Sequence, residues 1–132
     1  MRDIAQLIEG KFKLYRTKKA SAELIAEAQR QLGLRFADDY KNYLSQFGAI
    51  SFGSTELTGL NVDSYANVVS VTLKEVQRNR CFPKDSYVLE NIGMEGLLML
   101  QNEAGEVYEW LDGERRTVFP CLRAYLESKL CS

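Results

Sequence analysis

A chain of 132 residues, 45% hydrophobic and 27% charged, suits one folded domain with its own core and excludes a disordered segment or a two-domain array. With a net charge of −1 it is not a generally basic nucleic-acid binder, and no apolar run reaches the ~20 residues that cross a bilayer. The absence of histidine removes Ser-His-Asp and Cys-His nucleophilic sites and histidine-ligated zinc.

Ile4, Leu7 and Ile8 share one helical face, and Gly10 stops that opening helix. Lys11 to Lys19 then alternates and reads as an extended, basic edge segment. Ser21 is placed to cap a second helix carrying Leu24, Ala28 and Leu32, with Glu23 in its first turn and Gly33 as its stop. Tyr40, Tyr43, Leu44 and Phe47 mark the core face of a third helix that starts near Asp38 and closes at Gly48.

The pattern then changes. Ile50 to Phe52 and Glu56 to Leu60 read as short strands, and Asn67 or Ser70 caps a helix whose apolar stripe is Val69, Leu73 and Val76. Tyr87 to Leu89 is a strand, and Gly96 to Leu100 is a continuous apolar run suited to a central strand covered on both faces. Val107 to Leu111 pairs back on it, Asp112-Gly113 is a two-residue hairpin signal, and Thr117 to Phe119 leaves that turn. Pro120 opens a closing helix with Leu122, Tyr125, Leu126 and Leu130 inward. Helices, a meander of strands and a final helix make an α+β single domain over residues 1–132. Its antiparallel or mixed sheet has helices packed on one face, leaving the opposite face or an edge for a partner.

Cys81, Cys121 and Cys131 form neither a disulfide framework nor a zinc cage. No loop has calcium-binding spacing, and no carboxylate pair stands out as catalytic, so neither metal nor cofactor is expected. The start of the chain lacks the apolar stretch of a secretion signal, which points to the cytoplasm.

Charge is unevenly spread: the first 35 residues carry a net +4 and the last 52 a net −4. From Asp85 to Glu114 there are eight carboxylates and no Lys or Arg, which argues against direct contact with a phosphate backbone.

Three segments resemble the SUKH superfamily of bacterial immunity proteins and fungal regulators of cell-wall synthesis. Glu27 to Phe36 is similar to its amphipathic helix and the step after it. Asp39 to Gly48 (DYKNYLSQFG) resembles its aspartate-tyrosine-lysine helix and stop. Val88 to Asn91 with Gly96 to Leu98, and Gly105 to Trp110, resemble its glycine-led strand and tryptophan-bearing return strand. Ala37 departs from the family's usual proline, which there only pre-sets φ.

The resemblance implies a non-catalytic binding module that neutralises a cognate protein toxin, often a nuclease, by occlusion. The other implied role is a protein-interaction or regulatory scaffold without a toxin partner. Nucleases carry basic clefts, so the one-signed acidic stretch is expected to meet a basic toxin. The expected contacts are Glu95, Glu103, Glu106, Glu109, Asp112 and Glu114, with Tyr108 as an aromatic contact and Trp110 in the core.

Overall fold

A computed structural model describes residues 4–92 and 96–130. The helices are α1 (Ile4–Glu9), α2 (Ala22–Leu32), α3 (Asp38–Phe47), α4 (Val68–Arg78) and α5 (Leu122–Leu130). The strands are β1 (Tyr15–Arg16), β2 (Ile50–Phe52), β3 (Thr55–Glu56), β4 (Ser86–Asn91), β5 (Leu98–Asn102), β6 (Val107–Leu111) and β7 (Glu114–Phe119). The single sheet expected from the sequence is in fact two antiparallel ones, β1-β2-β3 and β4-β5-β6-β7.

Local chemistry sets the element ends. Ser21 Oγ accepts from Leu24 N at 3.1 Å, and Gly33 ends α2 in the left-handed conformation at φ 68°. Helix α3 has no side-chain cap at Ala37, whose N–H donates instead to the Tyr87 hydroxyl at 3.1 Å. Asp39, in the first turn of α3, reaches far along the chain. One carboxylate oxygen accepts from Gln101 Nε2 and the other from Leu122 N, both at 2.9 Å, tying α3 to β5 and to the start of α5.

One face of the larger sheet carries Tyr87, Met99 and Val107 into the main core with Tyr40, Tyr43, Leu44, Phe47, Leu122 and Tyr125. The other face is not left open for a partner. Val88, Leu98, Leu100, Tyr108 and Trp110 pack there into a second cluster closed by Phe82 and, from α4, Val71. Trp110 is buried, as expected, in edge contact with the Phe82 ring. What remains open is the β7 edge, where residues 114–118 are all exposed and Thr117 sits at φ 36° beside a register shift.

Helix α4 corrects the sequence reading. Asn67 does cap it, accepting from Val69 N and Ser70 N, but Leu73 and Val76 point to solvent and the buried residues are Val68, Thr72 and Glu75. Thr72 is inward because its hydroxyl accepts the Val88 N–H, at 3.0 Å, on the outer edge of β4. The same edge is closed further along by Thr58, whose hydroxyl donates to Val88 O at 2.8 Å and whose N–H donates to Leu89 O at 2.9 Å. Polar demand at a sheet edge thus outranked apolar periodicity in choosing the helix face.

Burial pushes the phenols of Tyr40, Tyr43, Tyr87 and Tyr125 above their ordinary value of 10. Such a phenol loses its proton first in the unfolded chain. Stability should therefore be intact below pH ~10 and fall as pH rises from there toward the folded-state values. Chemical denaturation at stepped pH, followed alongside phenolate absorbance, should show the two changes together. Full ionisation of the buried phenols with the fold intact would contradict this packing.

Candidate partner-binding surface

The structure divides the acidic stretch. Glu103 and Glu106 lie on the exposed β5–β6 turn, with exposed Asp85 alongside, where its carbonyl accepts from Glu103 N at 3.1 Å. Both glutamates are also tied down: Glu103 Oε2 accepts from the Arg35 backbone N–H at 2.7 Å, and Glu106 Oε1 accepts from the Asn102 side-chain Nδ2 at 2.9 Å. Asp112 and Glu114 lie at the far end of β6, roughly 17 Å away for a five-residue strand. Asp112 (φ 50°) and Gly113 (φ 82°) form the two-residue loop between β6 and β7, so the hairpin signal in the sequence is realised.

Two expected contacts sit differently. Tyr108 is fully buried, hydrogen-bonded to Ser86 Oγ and covered by the Arg115 guanidinium 3.9 Å from its ring centroid. It offers no exposed aromatic face, because its row on the sheet is the row that packs on Leu100 and Val88. Glu109 is half-buried on the α5 side, where its charge helps to raise the Tyr125 phenol. Glu95 falls outside the described residues. The one-signed run is also not one-signed in space: β7 lays Arg116 opposite Glu109 and Arg115 opposite Trp110. The acids therefore form two separate ends, Asp85/Glu103/Glu106 and Asp112/Glu114.

A second polar surface has no counterpart in the sequence pattern. Residues from β3, the loop after it, β4 and α5 enclose a cleft of about 400 Å³ lined by Ser54, Thr55, Glu56, Tyr65, Glu90 and Lys129, among others. Glu90 lies at its base, 5% exposed, accepting from the Tyr125 hydroxyl and paired with Lys129 Nζ at 3.1 Å. Tyr65 stands at the lip, 66% exposed. Glu56, and further off Asp63, hold its phenol above the ordinary value. Nothing in the spacing of Glu56, Tyr65, Glu90 and Lys129 along the chain announces that they meet. Among the described residues no group of three or more Cys, Asp or Glu side chains is arranged to hold a metal ion, and no helix is long and apolar enough to cross a membrane.

A family model described as SMI1-KNR4 cell-wall matches residues 1–131. No curated protein matches the chain. Among solved structures, the crystal structure of a protein from Pseudomonas syringae pv. tomato superposes with a TM-score of 0.75 at 14% identity, covering 94% of this chain and 96% of that one. At that identity the likeness is one of fold.

Proposed function

Because the chain belongs to the SMI1-KNR4 cell-wall family, within the SUKH superfamily that its motifs resemble, we propose that it is an immunity protein that binds a basic protein toxin and blocks it by occlusion. The carrying observation is the family match over nearly the whole chain. The fold is compatible with such a role: a braced scaffold presents carboxylates at two exposed turns, where they can steer a basic partner without rearrangement. The protein acts in the cytoplasm, contacts no nucleic acid itself and performs no chemistry. The family's cell-wall description favours one second reading, a regulatory scaffold with several weaker partners and no toxin.

Co-expression with a toxin of the same cell separates the two. An immunity protein restores growth and forms a tight one-to-one complex whose association slows with added salt. A scaffold leaves the toxin active. Glu106→Lys and Glu114→Lys report on the two acidic ends separately. Reversal at the end that faces the toxin should slow association about tenfold, while the other should change it less than twofold. Unchanged association in both variants would remove the acidic ends from the interface and leave the neutralisation result standing.

A further inference from the structure

The cleft between β3 and α5 is the concave polar surface that the acidic ends do not use. We infer that it is the receptor for a protruding arginine side chain of the protein partner. Its volume, about 400 Å³, lies in the range of small-ligand sites, roughly 300–1,000 Å³. Its lining supplies what a guanidinium requires: carboxylate at two depths, hydroxyls from Ser54 and Thr55, and an exposed ring at the mouth.

Among the described residues Glu90 Oε1 is engaged by Tyr125 and Lys129, and Oε2 by Lys129 at 3.4 Å. An ionised carboxylate offers about four acceptor positions, so these two partners do not exhaust Glu90, which lines the cleft. Glu56 and Asp63 are in no ion pair among the described residues. The raised phenol of Tyr65 is a local gauge of the same field, since nearby Glu56 is its largest cause and the side chain is open to water. An aromatic face beside a carboxylate that has no ion-pair partner among the described residues, as Glu56 beside Tyr65, holds a planar cation by stacking and by a bidentate pair together. An anion or a phosphate backbone would meet the same carboxylates unfavourably. The identity of the partner rests on the toxin-binding reading, whereas the cation site rests on the cleft alone.

The probe is arginine amide titrated into isotopically labelled protein, with the uncharged isostere citrulline amide as control. Saturable shifts are expected at the amides of Ser54 to Glu56, Tyr65, Ala66, Asn91 and Ile92. Glu56→Gln should raise the half-saturation concentration about fivefold and Tyr65→Ala about threefold. Both side chains are exposed, so spectra elsewhere should be unchanged. Equal shifts with citrulline amide, shifts centred on Glu106 or Glu114, or no shift would overturn the assignment. Growth protection by the wild-type protein is read separately. Failure of the cleft with protection intact leaves neutralisation standing, and arginine binding without protection leaves a cation site and removes the toxin.

Discussion

Replacing Thr58 by valine should cost about 2–4 kcal/mol of folding free energy, although the two side chains have nearly the same shape. The Thr58 hydroxyl donates to Val88 O at 2.8 Å and lies 2.9 Å from the Tyr40 hydroxyl, while Thr58 O accepts from the Tyr43 hydroxyl at 2.8 Å. Tyr43 in turn accepts from Ile50 N at 3.0 Å. One threonine thus joins α3, the small sheet and the edge of the large sheet, in a site buried from bulk solvent. Valine leaves the Val88 carbonyl and the Tyr40 hydroxyl without their partner, and buried unpaired groups carry their full desolvation penalty. Tyr40→Phe removes only one end of this arrangement and should cost about 1 kcal/mol, and the double variant should cost less than the sum. Urea unfolding of the four proteins measures this. A Thr58→Val protein within about 0.5 kcal/mol of wild type would mean that the network contributes little.

Gly59→Ala should be at least as damaging, about 3 kcal/mol or more, for a steric reason. A Cβ at Gly59 would lie 2.1 Å from Gly48 O and 2.6 Å from Ala49 Cβ. The two segments cannot easily separate to admit it, because Leu60 N donates to Gly48 O at 3.0 Å, and Gly59 is held from its other side by Gly59 N to Ala66 O at 3.0 Å and Val68 N to Gly59 O at 2.9 Å. Gly33→Ala is the matching control. Its φ of 68° imposes the left-handed penalty, about 1–2 kcal/mol, but nothing lies within 4 Å of the added carbon. Thermal and urea denaturation should rank Gly59→Ala well below Gly33→Ala in stability, and a reversed order would contradict the close approach of the two chain segments.

The sequence made some elements legible and hid others for physical reasons. Helix α3 was readable because Tyr40, Tyr43, Leu44 and Phe47 recur at helical spacing and all four are buried. The β6–β7 hairpin was readable because Asp112 and Gly113 both tolerate positive φ. Helix α4 misled because Thr72 is turned inward by a hydrogen bond to a strand 16 residues away, a partner that periodicity cannot register. Acid count misled in the same way. A run free of basic residues along the chain does not stay so when β7 folds Arg115 and Arg116 back across β6. The cleft was invisible because Glu56, Tyr65, Glu90 and Lys129 come from four separate segments, each unremarkable alone.

The reach of Asp39 bears on how the protein is made. Its carboxylate holds Leu122 N, 83 residues on, while Lys11 Nζ reaches the Leu130 carbonyl and Glu90 awaits Lys129. During ribosomal synthesis the first three helices emerge long before any of these partners exist. The early chain must wait with its core uncovered until α5 has been translated. The closed fold therefore forms only once α5 is available, and a pause or a premature stop before residue 122 yields a polypeptide that chaperones and proteases will treat as unfinished.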